Sequence, residues 1–199
     1  MLERTGRAEL CARVITEVLA PWVIVLLLPL AVAWQATRSL GPALGWGLWV
    51  ALTSSVLPMV VIVRGARRGR WDGHHVRDRE GRLVPFLVLI ALSCAGLAVL
   101  LVGGAPWPVV ALDIAMIASL LVTGAITAKW KISMHTAVAA GAVVILAVSW
   151  GPLCWALLLP VAAVGWSRVR LGDHTPAQTT VGAVVGALVG GGLFALLTG

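Results

Sequence analysis

Residues 106–127 read PWPVVALDIAMIASLLVTGAIT, and the fold turns on this stretch. Its prolines suit the first turn of a helix, and some 20 apolar residues follow with Asp113 as the one charge, about the length that crosses a hydrocarbon core roughly 30 Å thick. Stretches of similar length and character occupy 15–36, 42–63, 85–104 and 176–197. A further apolar region runs from about 135 to 166 and is divided by the turn signal Trp150-Gly151-Pro152 into two segments of about 15 residues each. The expected fold is all-α: a polytopic transmembrane helical bundle of six to seven spans, forming one integral membrane domain over residues 1–199.

Composition agrees. Of 199 residues 60% are hydrophobic and 12% charged, and the mean hydropathy is +0.99. Fifteen Lys and Arg with eight Asp and Glu are too few to cover a water-facing surface. A net charge of +7 would suggest nucleic acid in a soluble chain, but here the cations lie in short segments between apolar runs. Membrane lipids and a phosphate-bearing lipid are therefore the expected acidic partners, and nucleic acid is not. Cys11, Cys94 and Cys154 lack metal-ligand spacing and read as small buried hydrophobes, so no metal and no other cofactor is expected. The first apolar run exceeds a signal-peptide core and has no small-x-small site close behind it, so it reads as a retained anchor.

Cytoplasmic loops retain Lys and Arg during insertion. With seven spans and a cytoplasmic N-terminus, Arg4, Arg7 and Arg13, the seven arginines of the basic loop 64–84, Lys129 and Lys131, and Arg168 and Arg170 all fall on the inner side. Only Arg38 falls outside. The expected location is the plasma (inner) membrane, multi-pass, with the polar loops cytoplasmic.

Three polar groups at helix ends carry the candidate chemistry. The basic loop holds His74, His75, Arg77, Arg79 and Arg82. Lys129-Trp-Lys131-Ile-Ser133-Met-His135 runs directly into a helix. Ser167-Arg168-Val-Arg170-Leu-Gly-Asp173-His174-Thr-Pro-Ala-Gln178 crowds two arginines, an acid, an imidazole and an amide between two apolar helices. Two histidines and several cations on one face form a phosphoryl-transfer set. Guanidinium forks clamp nonbridging oxygens, one imidazole attacks phosphorus and the other protonates the leaving alcohol. The small-residue stripes Ala139-Ala140-Gly141-Ala142 and Gly182, Gly186, Gly190 begin the helices after His135 and His174. Packing between those helices would bring the histidines near one another. Asp113, at membrane depth, is expected to face the bundle interior as a hydrogen-bonding or proton-relay group.

The arrangement resembles the phosphatidic acid phosphatase type 2 superfamily, the lipid phosphate phosphatases, in a degenerate bacterial-type form. That family's third motif is Ser-Arg, five residues, His, three residues, Asp. Here Ser167-Arg168, five residues, His174, three residues, Gln178 stands in its place. The second motif, Pro-Ser-Gly-His, is matched at Ser133 and His135. The first, Lys, six residues, Arg-Pro, is approximated by His75 and Arg82, with a proline at Pro85. The resemblance covers residues 64–190 in motif order, with most of the catalytic core in 128–190. It implies His174 as the nucleophile forming a phosphohistidine, His135 as the general acid, and Ser133, Arg168 and Arg82 as phosphate ligands. Arg170 and Lys131 are additional cations outside the family pattern. Gln178 orients the nucleophile where the family has an acid, and Asp173 or Asp78 could supply the missing carboxylate.

The expected function is metal-independent hydrolysis of a polyprenyl or glycerolipid phosphate at the cytoplasmic face. Two alternatives stand beside it: a catalytically weakened headgroup binder, motivated by Gln178 and Leu83, and a transporter or assembly subunit, motivated by Asp113 and the glycine-rich last helix.

Overall fold

The computed structural model describes residues 2–68 and 83–199, and these form eight helices with no strand among the described residues. Helix α1 spans Leu2–Val18 and α2 Pro21–Thr37. Helix α3 runs Leu40–Ala51, passes through a π turn at Leu52–Val56 and continues as Leu57–Arg67. Helices α4 (Leu83–Val102), α5 (Trp107–Lys129) and α6 (Met134–Trp150) follow. Helix α7 begins as a 3-10 segment, Pro152–Leu157, and continues as Leu158–Arg170. Helix α8 runs Pro176–Val185, π turn Gly186–Gly192, then Leu193–Thr198.

Each anticipated apolar stretch is helical, but the first is not one straight rod. Proline at the first position of α2 has no N–H to give the preceding turn and disfavours helical geometry at the residue before it. Ala20 accordingly adopts φ −63° and ψ 147°, and Gly6–Val18 meets Pro21–Thr37 at 43°. Pro58 acts on α3 in a milder way. A proline there would clash with the carbonyl four residues earlier, and the chain widens into a π turn just before it, burying Thr53, Ser54 and Ser55.

By length and composition, four helices among the described residues are able to cross a membrane, Leu40–Gly65, Trp107–Lys129, Pro152–Arg170 and Pro176–Thr198, and a fifth is added if the bent pair counts as one span. Leu87–Val102 and Met134–Trp150 are apolar but shorter. On this criterion four to five spans are counted among the described residues, and the two shorter apolar helices bring the number toward the six to seven expected. The Gly151-Pro152 turn limits Met134–Trp150 to 17 residues.

The bundle is inverted relative to a soluble protein. Leu159, Leu188 and Leu196 are 77%, 69% and 83% exposed, and such an exterior suits lipid rather than water. Several apolar helices of this kind mark the chain as a membrane protein. The core is assembled mainly from small and branched residues. Leu28, Val32, Ala111, Leu112, Ala142, Ile145 and Phe194 join α2, α5, α6 and α8, and Ala33, Val50, Leu100 and Val109 join α2 to α5.

The small-residue stripes of α6 and α8 meet. A side-chain carbon on Gly141 would lie 2.9 Å from the Gly186 carbonyl oxygen, and one on Gly186 would overlap the Ala137 carbonyl. Only hydrogen fits there, so the two backbones touch. This seam sets the positions of the loops that precede the two helices.

Candidate active site

Two short loops meet at one end of the bundle. The first leads from α5 into α6, whose N-cap is Ser133, with Oγ accepting from the Thr136 N–H at 3.4 Å. The second leads from α7 into α8. Gly172 takes φ +72°, a conformation open to glycine, and the chain turns back so that the N–H groups of Asp173 and His174 both donate to the Arg168 carbonyl, at 3.1 and 3.2 Å. Thr175 and Gln178 then form a capping box that starts α8.

The loops are joined by direct bonds. The Ser133 N–H donates to the Gln178 carbonyl at 3.2 Å, Thr136 Oγ1 to the Thr179 carbonyl at 2.8 Å, and Lys131 Nζ to the Asp173 carbonyl at 2.6 Å. Gly182 makes this approach possible: a carbon added there would stand 2.6 Å from the Ser133 carbonyl oxygen and 2.7 Å from Thr136 Oγ1.

His174 is half-buried, and its tautomer follows from its neighbours. Gln178 Oε1 accepts the Thr175 N–H at 3.1 Å and lies 3.2 Å from His174 Nδ1. A backbone N–H can only donate, so the amide atom facing it is the oxygen, and Nδ1 must be the protonated ring nitrogen. The lone pair is left on Nε2. Burial is the main cause that pulls the His174 pKa down from 6.5 to about 4, helped by the charges of Lys131 and Arg168, while the Gln178 hydrogen bond and Asp173 work in the opposite sense. The ring is therefore neutral, with a free nucleophilic nitrogen, at neutral pH.

Arg168 stands beside it with a side chain only 12% exposed. One terminal nitrogen, Nη2, pairs with Asp173 Oδ2 at 3.1 Å, and buried Nε has no hydrogen-bond partner among the described residues. A buried guanidinium N–H left unsatisfied is costly, so this donor is suited to an anionic oxygen from outside the chain. Arg170 and Lys131 are exposed at the same end.

The remaining expected site residues are distributed differently. Ser133 is fully buried and serves as the α6 cap. His135, 9% exposed, faces a cavity of about 470 Å³ together with Thr16 and Glu17, whereas Ser133, Arg168 and His174 lie outside that lining. The structure thus brings both histidines to the same end but aims His135 into the bundle while His174 sits in the α7–α8 loop. Arg82 and His75, with Asp78, lie outside the described residues. Of the two carboxylates considered as substitutes for an acid at Gln178, Asp173 is engaged by Arg168.

Sequence reasoning overlooked two features. Thr16 Oγ1 and Ser167 Oγ lie 3.0 Å apart in a buried contact, and the neighbouring Glu17 carboxylate acts electrostatically on Arg168. Helix α1 thereby closes one side of the site. The available signal was an acid inside an apolar run. The second is a hydroxyl chain: Ser93 Oγ donates to Ser54 Oγ at 3.3 Å, and Ser54 Oγ donates to Asp113 Oδ1 at 3.2 Å. Asp113 is fully buried, as expected for a residue facing the bundle interior. Its serine partners were foreshadowed only by the polar triplet Thr53-Ser54-Ser55.

Comparison with known families places residues 115–198 on the PAP2 superfamily. The match begins in α5 and ends in α8, so it contains both loops, and it is consistent with membership of that superfamily. No curated protein and no solved structure matches the chain.

Proposed function

We propose, from the match of residues 115–198 to the PAP2 superfamily, whose members are generally phosphatases, that this protein is a membrane-embedded lipid phosphate phosphatase working through a phosphohistidine on His174. The observation that carries the reading is the pairing of a neutral His174 ring, its Nε2 lone pair free, with a buried Arg168 whose Nε has no partner among the described residues.

In-line displacement at phosphorus requires the nucleophile and the leaving oxygen on opposite sides of the phosphoryl group. Arg168 binds nonbridging oxygens, with Lys131 and Arg170 adding positive field at the mouth and Ser133 and Arg82 as further phosphate ligands. His174 Nε2 forms the P–N bond as the P–O bond to the lipid alcohol breaks. His135, at the cavity wall, donates its proton to the departing oxygen. Water then attacks phosphorus, the P–N bond breaks, inorganic phosphate leaves, and His135 takes back a proton. An acid and a nucleophile that point from different directions suit this geometry. Gln178 holds the ring by hydrogen bonding alone and Asp173 fixes Arg168, and the family pattern assigns Arg82 to phosphate and His75 to a supporting role. The residues used in these steps need no metal. The active face is cytoplasmic on the distribution of Lys and Arg.

The test is phosphate release from lipid phosphates by protein in nanodiscs, with acid-labile, base-stable phosphate trapped on the chain. His174→Ala should lower turnover by about 10³-fold or more and abolish trapping. Trapping that persists in His174→Ala would refute the assignment. One observation favours a second reading, a headgroup binder of low turnover: a neutral amide at Gln178 cannot stabilise the charged ring. Headgroup binding without phosphate release would select it.

A further inference from the structure

Helix α1 lies outside the matched segment, which begins at residue 115, yet it packs on α7 beside the site. The 43° bend before Pro21 takes it there: α2 packs on α3, α5 and α6, whereas α1 packs on α7. Ala12, Thr16 and Ala20 recur every fourth residue and are 5% exposed or less, while Leu10, Val14 and Val18 form an exposed face. Ser167 Oγ donates its one hydrogen to the Val164 carbonyl at 2.8 Å, so Thr16 Oγ1 is the donor in its 3.0 Å contact with Ser167 Oγ. This bond pins the last turn of α1 to the residue beside Arg168.

Glu17 follows Thr16 and so projects about 100° further round the helix. It is exposed and lines the cavity that His135 faces. Glu17 and His135 are the two titratable groups of that lining among the described residues. The Glu17 carboxylate also acts on Arg168, so its field reaches the guanidinium on one side and the cavity before the imidazole on the other. A general acid must hold its proton until the leaving oxygen takes it. His135 is 9% exposed, and Lys131, Arg168 and Arg170 stand at the same end. A buried imidazolium among cations is stable only with an anion beside it. Gln178 is neutral, and Asp173 is committed to Arg168 at 3.1 Å.

We propose that Glu17 is a positioning residue of this site, the carboxylate that holds the His135 ring charged and oriented for proton donation. The proposal rests on the phosphatase reading. The His135 N–H proton passes to the ester oxygen as the P–O bond breaks, leaving a neutral ring beside an anionic Glu17. When water attacks the phosphohistidine its proton goes to His135, and imidazolium and carboxylate again face each other. Glu17 itself neither gains nor loses a proton. The acid absent at position 178 is thus supplied to the other histidine, from a helix far away in the chain.

Two measurements on the full chain in nanodiscs test this. The first is kcat/KM for n-decyl phosphate, whose alkoxide must be protonated as it leaves, and for 4-nitrophenyl phosphate, whose phenolate leaves without a proton. Glu17→Gln should lower the first by about tenfold or more and the second by less than about threefold, and Glu17→Asp should restore part of the loss. In a His135→Gln background Glu17→Gln should cost nothing further on n-decyl phosphate. Equal losses on both substrates, or a Glu17→Gln loss that persists in full in His135→Gln, would assign Glu17 to Arg168 or to the fold and overturn the proposal. The second is thermal unfolding at neutral pH of Glu17→Gln, His135→Gln and the double variant, which reads the coupling without turnover. Glu17→Gln should lower the unfolding temperature by about 2 °C or more in the wild-type background, and by less than about half that in His135→Gln. If no phosphate ester is hydrolysed, the phosphatase reading fails by itself. Coupled unfolding shifts would still join Glu17 to His135, and additive shifts would end the pairing.

Discussion

At the scale of single residues, the protonation of His174 governs what the site does. Its pKa is pulled from 6.5 to about 4 chiefly by burial, so the nucleophile loses its lone pair only as the pH falls through about 4. The acid limb of kcat/KM should therefore lie near pH 4. Gln178→Glu replaces the amide acceptor by a carboxylate that favours the charged ring, so this limb should move upward, toward 6, with kcat at neutral pH changing by less than about tenfold. A limb that does not move would show that the residue at 178 does not act on the ring. The same shift affects stability with a definite sign. Between about pH 6.5 and 4 the unfolded ring binds a proton that the folded ring refuses. The stabilising contribution is thus complete above 6.5 and is lost as the pH falls toward 4. His174→Ala should unfold at a temperature less sensitive to pH in this window than wild type. His174 and Gln178 were legible as a pair from their spacing. The direction of their hydrogen bond was not, because it depends on the Thr175 N–H that fixes the amide orientation.

Among the elements, the α6–α8 seam positions both loops, and its glycines differ in consequence. A carbon at Gly186 overlaps the Ala137 carbonyl, whereas one at Gly190 meets nothing nearer than Ser119 Oγ at 3.5 Å. Gly186→Ala should destabilise by about 1–3 kcal/mol and reduce activity through loop displacement, and Gly190→Ala should be nearly neutral. Thermal unfolding of the nanodisc-embedded variants separates the two, and equal shifts would contradict the close approach. The stripes were visible in the sequence because small residues recur at helical spacing. Prolines were also visible, but their effects were not. Pro21 ends one helix and begins another, Pro29 lies within α2 without ending it, and Pro58 follows a π turn. Neighbouring helices decide which of these outcomes a proline produces.

At the scale of the whole molecule, both loops belong to one end of the bundle, and Arg38 belongs to the other. Its guanidinium lies 5.7 Å from the Trp150 ring centre, at the far end of α6 from His135. In a background without native cysteines, Arg38→Cys and Gly172→Cys should be labelled from opposite sides of sealed vesicles, with Gly172→Cys reached from the cytoplasmic side. Labelling of both from one side would overturn the topology. The sequence by itself determined that the chain is all-α and built on apolar runs of membrane-spanning length, since composition and run length are properties of the chain alone. It also placed the Ser-Arg, His and Gln cluster, because those residues lie within twelve positions of one another and their spacing survives any packing. Only the tertiary structure decided that His135 turns inward toward a cavity, that α1 comes back to Ser167, and that Ser54, Ser93 and Asp113 form one chain of hydrogen bonds. Each of these joins residues from separate helices, and such contacts follow from how helix faces pack, which a linear pattern of apolar residues leaves open.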